Sequence, residues 1–250
     1  VILPEVVALY GLDDSKKLTA KHREELFGTI CSQAIAWGIG MADNDEIDEI
    51  GILDATMRAM RLAVKNLKIN PDIVLVDGNR LPGLPCTERA VVDGDALSLS
   101  IAAASVVAKV TRDRMMIEFD SMFPGYGFAR HKGYGSQEHI DALRRLGPCV
   151  IHRFSFDIVP EVVPPGTALA VLRQRLLNAP CCKTLERAAA GIYRIRHRFD
   201  ESDLDVLRNT YRKRRAILRE NRMKTGVMGE TAGCNYLARK GYTILDRNWR

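Results

Sequence analysis

The chain has 250 residues, of which 46% are hydrophobic and 27% are charged, and its formal net charge is +6 at pH 7. This composition is typical of a folded globular protein and argues against a disordered or fibrous chain. The longest uncharged apolar stretch, Ala96–Ala108, is too short to span a bilayer. We therefore expect a protein without a membrane partner.

Cysteine usage and the first residues both indicate a cytoplasmic protein. The six cysteines form neither a Cys-x-x-Cys pair nor a Cys/His spacing suited to zinc, so reduced thiols are the expected state. No basic segment precedes the opening apolar residues, and no signal peptide is visible. We expect a monomeric cytoplasmic protein, and the first residue, Val1, suggests a fragment of a longer chain.

Charge is unevenly distributed along the chain. Residues 1–160 carry 18 lysines and arginines against 22 acids, whereas residues 161–250 carry 19 against 9. A basic segment attached to a mildly acidic body suggests a nucleic-acid or other polyanionic partner, although a solvated helical surface would give the same pattern. Charge alone leaves both interpretations open.

Hydrophobic periodicity predicts an α/β layered domain over residues 1–160. Thr19 is a good N-cap for a helix over residues 20–34, and Ile35–Met41 is predicted to be a strand. The next segment, as far as residue 67, has helical spacing. Its clustered acids complement the helix dipole and are interpreted as structural: Asp43, Asp45, Glu46, Asp48 and Glu49.

The second half of this domain begins with two predicted buried strands, Ile73–Val76 and Ala90–Val92. A small-residue helical segment and a helix ending at Met122 follow them, and a further helix covers Gln137–Leu146. Val163–Gly166 has the composition of a linker. Beyond it, helices are predicted over residues 168–177, 184–196, 204–222 and 226–240, and a strand over residues 242–250.

Carboxylates follow both predicted strands. Asp77 comes directly after the first strand, and Asp93 and Asp95 come after the second. Acids at the ends of core strands, near a tightly packed helix, are a plausible site for a divalent metal ion, because such ions prefer hard oxygen ligands.

Six motifs in residues 1 to about 160 resemble those of bacterial ribonuclease HII in order and spacing. They are GLDDSKKLT, EIDEIGILDATMRAM, VLVDGNR, GDALSLSIAAASVVAKVTRD, FPGYGFARHKGY and HRFSF. The resemblance implies an RNase H-like mixed sheet flanked by helices. It also implies an endonuclease that hydrolyses the RNA strand of RNA/DNA hybrids and ribonucleotides embedded in duplex DNA, leaving 5′-phosphate and 3′-hydroxyl ends.

The resemblance further implies four carboxylates that hold Mg²⁺ or Mn²⁺ for two-metal-ion hydrolysis. Asp77 matches the third carboxylate and Asp95 the fourth, whereas Asp93 lies outside the pattern. In the family the first two belong to a D-E-x-G-R-G motif upstream of the segment that matches Val1, and this sequence contains no such motif. We therefore expect the 250-residue chain to hold half of the site and to be nearly inactive alone.

The resemblance also implies substrate contacts at the matching positions of this chain. The loop that touches the substrate backbone matches Ser15, Lys16 and Lys17. Tyr134 resembles the tyrosine that stacks at the junction between ribonucleotide and deoxyribonucleotide, although a tyrosine packed under a loop is the alternative. His131 could be a ligand, a base or a residue that orders its loop. Further substrate-binding candidates are Asn79, Ser105 and Lys109.

Residues from about 224 to 250 resemble the opening of the YraN family, small bacterial proteins with a restriction-endonuclease-like appearance. The matching features are GxxGE, a helix and GY-IL-RN. Glu230 matches the helix acid of that fold, although an acid near a helix start would look the same. The resulting prediction is a ribonuclease HII domain over residues 1–160, a basic helical connection over 161–223 and the start of a second α/β domain over 224–250.

Two other functional classes remain open for the basic segment Arg194–Arg222. It could act as a nucleic-acid-binding module without catalytic activity, or it could belong to a protein-interaction arm. Strong salt dependence of nucleic-acid binding would favour the first alternative over the second.

Overall fold

The computed structural model describes residues 1–12, 15, 18–156 and 158–239. Lys16, Lys17 and the predicted strand over residues 242–250 therefore lie outside the described residues. The chain forms two compact units that divide between Pro164 and Pro165, which is within the predicted linker. Among the described helices, none has both the length and the apolar character needed to cross a membrane.

The described part of the first unit consists of short strands among helices. Its elements are α1 (Ala20–Gln33), α2 (Asn44–Ile50), α3 (Ile52–Lys65), β1 (Ile73–Asp77), β2 (Thr87–Val91), α4 (Gly94–Leu97), α5 (Leu99–Met122), α6 (Phe128–His131), α7 (Gln137–Leu146) and α8 (Ile158–Val162). Thr19 caps α1 by accepting the His22 N–H, and Ser136 caps α7 in the same way. The predicted helices over residues 20–34 and 137–146 are confirmed.

Helix α5 is the buried centre of the first unit. Small and β-branched side chains on its inner face let α1 and the opening segment pack closely against it. The buried cluster that joins these three parts contains Leu9, Leu26, Ile30, Ala103, Val106, Val107 and Val110. Because both β1 and α4 also contact α5, this helix fixes the position of the strand ends.

Strands β1 and β2 are parallel, with Ile73 opposite Thr87 and Asp77 opposite Val91. The Gly78 N–H donates to the Val91 carbonyl at 2.9 Å, which continues the pairing one residue past β1. Because parallel strands end at the same edge of a sheet, the residues after Asp77 and after Val91 emerge side by side.

The predicted strand Ile35–Met41 is wrong in the described structure, where this segment is extended but pairs with Ile2 only at Ala36. The segment instead packs against α3: a Cβ on Gly38 or Gly40 would overlap the backbone of that helix. A strand needs a hydrogen-bonded neighbour, and the described residues supply a single bridge. The described sheet is accordingly a parallel pair rather than the larger mixed sheet that we expected.

The second unit is helical throughout its described residues. It contains α9 (Pro165–Asn178), α10 (Cys182–Arg194), a 3-10 turn (Arg196–Arg198) and α11 (Glu201–Arg239). Helix α11 packs on α9 and α10 through Leu207 and Leu218, which are buried. The expected break between helices near residue 224 is wrong, because α11 continues through this region without interruption and tolerates Gly226 in its interior.

Candidate functional site

The carboxylate of Asp77 lies against the residue that precedes Asp95. Asp77 is exposed at the end of β1, and its Oδ1 accepts the backbone N–H of Gly94 at 2.9 Å. Asp95 follows in the first turn of α4 and is half-buried. The parallel pairing and this hydrogen bond therefore bring the two acids predicted by the sequence to one edge of the sheet.

Gly94 is required by the close packing at this edge. It is buried, and a Cβ built on it would lie 2.6 Å from Ile101 Cδ1 and 3.3 Å from Asp77 Oδ1. The preceding residue, Asp93, has a left-handed backbone with φ of 53° and is exposed. Asp93 thus forms the turn between β2 and α4, and Asp95 follows it in the first turn of α4.

Asp77 and Asp95 are exposed or half-exposed carboxylates, so hard oxygen atoms are available to an ion at the strand ends. Within the described ranges, no group of three or more histidine, cysteine, aspartate or glutamate side chains is arranged to hold a metal ion. Asp77 and Asp95 are the acids at the strand ends that could contribute oxygen ligands to an ion such as Mg²⁺, which keeps several of its waters.

Ser15 and Ser105 join the loop before α1 to helix α5. Their hydroxyl oxygens are 2.8 Å apart, and Ser15 is buried. Arg23 of α1 donates to the carbonyls of Ser15 and Leu18, at 2.8 and 2.5 Å, so the loop is held at both ends of its described residues. Ser15 is thus anchored next to α5.

Lys109 and Tyr134 meet on the next turn of α5. The Lys109 ammonium lies 5.5 Å from the centroid of the Tyr134 ring, and Tyr134 is 61% exposed. Lys109 Nζ also donates to Asp113 Oδ1 at 2.7 Å, and Asp113 Oδ2 lies 3.8 Å from Arg23 Nη2. Asp113 therefore links the lysine beside Tyr134 to the arginine that anchors the Ser15 loop.

The sequence did not indicate that Arg23 and Asp113 take part in this network. Their partners are far away in the chain, with Arg23 and Asp113 separated by 90 residues. The one local signal was the four-residue spacing of Ser105, Lys109 and Asp113, which places the three on one face of a helix.

His131 orders the loop that presents Tyr134. Its Nε2 lies 2.8 Å from the Tyr126 carbonyl, and its Nδ1 accepts the Gly133 N–H at 3.1 Å. Both ring nitrogens therefore have backbone partners, which favours the loop-ordering role over that of a base. Asn79 is exposed in the turn after β1, and Glu230 lies within α11, its side chain outside the described part.

The acids of α2 hold the fold together. Asp43 caps the helix by accepting the Glu46 N–H at 2.7 Å. Asp48, which is 3% exposed, accepts the backbone N–H groups of Phe154 and Ser155 at 3.0 and 2.9 Å and the Ser155 hydroxyl at 2.7 Å. These contacts fasten the HRFSF segment to α2 and agree with the structural interpretation of the acids.

A solved structure has the same fold. The crystal structure of the ribonuclease H2 from Pyrococcus horikoshii OT3 matches with a TM-score of 0.52 and 24% sequence identity, covering 61% of this chain and 80% of that one. This likeness places the first unit in the class of α/β proteins with an RNase H-like fold.

Sequence comparisons identify the family within this class. The family model described as Ribonuclease HII matches residues 4–159. The ribonuclease HII of Geobacter metallireducens is 54% identical over 165 residues, 66% of this chain and 78% of that protein. The ribonuclease HII of Acetivibrio thermocellus is 56% identical over 156 residues, 62% of this chain and 61% of that protein. The chain belongs to the ribonuclease HII family, a family of ribonuclease H hydrolases.

Proposed function

We propose that the first unit is the body of an endonuclease that cleaves the RNA strand of RNA/DNA hybrids and single ribonucleotides embedded in duplex DNA. The observation that carries this proposal is the hydrogen bond that joins Asp77, at the end of β1, to Gly94, the residue before Asp95. The relatives named above share more than half of their residues with this chain over the matched region. The products expected are 5′-phosphate and 3′-hydroxyl ends.

The same proposal assigns Asp77 and Asp95 as ligands of Mg²⁺ or Mn²⁺. Bound divalent ions would supply an activated water and neutralise charge on the leaving 3′-oxygen. The hydrogen bond from Gly94 engages Asp77 Oδ1 and leaves Oδ2 for a ligand, so the protein itself orients this carboxylate. Two further carboxylates, expected from the family's D-E-x-G-R-G motif, would complete the set of four.

Substrate contacts in this proposal surround Tyr134. The exposed ring stacks at the ribonucleotide–deoxyribonucleotide junction, and Lys109, which is 19% exposed, adds positive charge beside it. The backbone phosphates would meet Lys16, Lys17 and the polar group of Asn79. Ser15 and Ser105 were also predicted to touch the substrate, but Ser15 is buried and the two hydroxyls bond each other, so their part would be to hold Ser15 against α5.

A chimeric protein tests this function. The N-terminal residues of the Geobacter metallireducens ribonuclease HII that precede its matched region would be joined ahead of this chain. We expect the chimera to nick a labelled duplex that contains one ribonucleotide, in Mn²⁺ or Mg²⁺, and to leave the all-DNA duplex intact. The 250-residue chain alone should be slower by orders of magnitude. A chimera that cuts neither duplex, or both equally, would contradict the proposal.

A second candidate function rests on helix α11, which carries an arginine stripe. Five arginines recur at alternating spacings of four and three residues and so lie on one helix face over about 21 Å. Four of them are exposed, and Arg215 lies 5.9 Å from the ring of Tyr211. The members of the stripe are Arg208, Arg212, Arg215, Arg219 and Arg222.

We propose that the arginine stripe binds a nucleic-acid backbone. One strand of a duplex presents a phosphate every 3.4 Å or so along its axis, and a row of guanidinium groups can neutralise several of them. Arg208 also donates hydrogen bonds to Glu201 and Asp205. We therefore expect the arginines toward Arg222 to contribute most to phosphate binding. The start of a restriction-endonuclease-like domain after residue 224, with Glu230, stays a prediction.

A further inference from the structure

Helix α5 places an arginine at the base of the loop that carries Tyr134. Arg112 Nη2 donates to the Lys132 carbonyl at 3.4 Å, and a Cβ built on Gly133 would lie 3.8 Å from the same nitrogen. Arg112 follows Lys109 by three residues, so the two side chains leave neighbouring positions on one side of α5. Because Lys109 lies 5.5 Å from the Tyr134 ring centroid, this side of α5 presents two cations to the loop.

The HRFSF segment borders the same loop. His152 Nε2 lies 3.2 Å from His139 Nε2, and His139 Nδ1 lies 2.9 Å from the Tyr134 carbonyl oxygen. Further along the segment, Ile158 Cδ1 would lie 2.6 Å from a Cβ built on Gly135. The residues between these two contacts therefore run alongside the Tyr134 loop.

Arg153 is the first residue between these contacts. It is half-buried, and its Cζ lies 4.7 Å from the centroid of the Phe156 ring. Within the ranges that the structure describes, the Arg153 side chain makes this ring contact but no hydrogen bond or ion pair. A guanidinium carries five N–H donors, and donors that are withdrawn from water without an acceptor are costly. The donors of Arg153 are therefore suited to an acceptor from outside the protein.

The charges around Arg153 favour an anionic acceptor. Burial lowers the pKa of Arg153, the positive charge of Arg112 lowers it further, and the carboxylate of Asp48 raises it. Both Asp48 oxygens already accept backbone N–H groups, those of Phe154 and Ser155. An anion beside Arg112 and Arg153 would convert their repulsion into two attractive interactions.

The acid on α5 is also engaged by cations. Asp113 Oδ1 accepts Lys109 Nζ at 2.7 Å, and its Oδ2 lies 3.8 Å from Arg23 Nη2. Among anions, a nucleic-acid phosphate fits these surroundings, because the planar fork of an arginine matches two phosphate oxygens. The exposed Tyr134 ring offers a stacking surface to the adjoining nucleotide.

We propose that Arg112 and Arg153 together bind one backbone phosphate of the strand whose nucleotide stacks on Tyr134. This inference rests on the proposed function, because that function brings a nucleic acid to Tyr134. Two arginines on a single phosphate hold the strand in one register. The pair would therefore determine which nucleotide lies over the tyrosine ring.

Four variants of the full chain test the arginine pair. Arg112→Gln and Arg153→Gln each remove one charge, and the double variant removes both. Arg112 is exposed, so Arg112→Gln should fold normally even if the half-buried position 153 tolerates glutamine poorly. The matched control is Arg144→Gln, at an exposed position of α7 that is paired with Asp141. Circular dichroism and thermal melting would establish that each variant folds.

The probe is a series of duplexes with one ribonucleotide, each carrying a single neutral methylphosphonate linkage at a different position around it. For the unsubstituted chain, we expect one linkage at which neutralisation lowers the affinity about tenfold, the effect of losing a charge-assisted hydrogen bond. At this linkage the double variant should lose less than about twofold, because the partners of the phosphate are already absent. Arg144→Gln should keep the full loss. Fluorescence anisotropy measures each affinity.

Two results would overturn the proposal. The first is an equal loss at every linkage in the double variant and in the unsubstituted chain. The second is a pair of single variants that become insensitive at two different linkages, since each arginine would then bind its own phosphate.

The nicking assay of the chimera separates this proposal from the proposed function. If the chimera does not nick but one linkage depends on both arginines, the proposed function fails and the phosphate site is supported. If the chimera nicks and no linkage depends on both arginines, the phosphate site is refuted and the proposed function stands.

Discussion

The two oxygens of the Asp77 carboxylate have different tasks. Oδ1 accepts the Gly94 N–H at 2.9 Å, whereas Oδ2 is the oxygen that we propose binds an ion. An asparagine at position 77 could keep the first interaction, because its amide oxygen also accepts a hydrogen bond. It would lose the negative charge that an ion requires.

We therefore expect Asp77→Asn, and likewise Asp95→Asn, to lower kcat in the chimera by orders of magnitude while the melting temperature changes little. The loss should exceed the roughly 10- to 100-fold that removal of an outer-shell partner costs, because an ion ligand is removed. Asp93→Asn is the matched control, a neighbouring acid outside the site. Near-normal kcat in Asp77→Asn or Asp95→Asn would show that the assignment of that acid is wrong.

Gly94 tests the packing of the same edge. We expect Gly94→Ala to lower the free energy of unfolding by about 1–3 kcal/mol, because the added methyl group would lie 2.6 Å from Ile101 Cδ1. Gly28→Ala, in open space within α1, is the control and should be neutral or stabilising. Urea unfolding of the full chain measures both, and equal midpoints for the two variants would contradict the packing argument.

At the scale of elements, helix α5 combines structural and functional roles on different faces. Its buried face packs against α1, whereas Ser105, Lys109 and Asp113 follow one another at four-residue spacing on a face that meets the Ser15 loop and Tyr134. Because the core side of this helix is closely packed, the helix itself fixes the spacing of Ser105, Lys109 and Asp113.

We expect Asp113→Asn to raise KM of the chimera for the ribonucleotide-containing duplex about 5- to 10-fold, with a smaller change in kcat. The variant loses the charge-assisted bond to Lys109 and the ion pair with Arg23, both in half-buried surroundings. Glu118→Gln, an exposed acid on the same helix, is the control. An unchanged KM would mean that Asp113 does not position these groups.

The elements that the sequence predicted best are those with a strong local signal. Strand β1 was expected as a buried strand over Ile73–Val76 and extends to Asp77. The expected burial is wrong, because Val76 alone is buried within β1 and no residue of β2 is buried. Strand β2 was expected at Ala90–Val92 but lies at Thr87–Val91, three residues earlier at its start. Thr87, Glu88 and Arg89 belong to β2 because their backbone pairs with that of β1. Their side chains are polar, so no hydrophobic pattern in the sequence marks the start of this strand.

At the scale of the whole molecule, the contacts that assemble the site join residues far apart in sequence. Asp48 binds the backbone of Phe154 and Ser155, more than 100 residues away, and Ser15 meets Ser105. Periodicity cannot predict such pairs, because it reports only neighbours within a few residues. The resemblance to ribonuclease HII proposed Asp77, Asp95 and Tyr134 as site residues, whereas the contacts of Arg23 and Asp113 are visible only in the structure.

The arginine stripe makes a prediction about salt dependence. We expect the triple variant Arg212→Gln, Arg219→Gln and Arg222→Gln of the full chain to bind duplex DNA more weakly. The slope of log affinity against log salt concentration should become shallower by up to about 2.7, which corresponds to three lost phosphate contacts. Fluorescence anisotropy at four or more salt concentrations measures this slope.

The control for the stripe carries the same change in net charge elsewhere in the second unit. It combines three exposed positions outside the stripe, Arg173→Gln, Lys183→Gln and Lys213→Gln. Equal slopes for this control and the stripe variant would indicate general attraction by net charge rather than a defined binding face.

The hydrogen bond between Gly94 and Asp77 also provides a spectroscopic probe of the site. The Gly94 amide proton holds the Asp77 carboxylate in place, so in the proposed function an arriving ion would meet a ligand that needs little reordering. That proton lies on the residue before Asp95 and points at an oxygen of Asp77, so its chemical shift responds to both acids. A single backbone resonance can therefore follow metal occupancy in titrations where the carboxylates themselves give no signal.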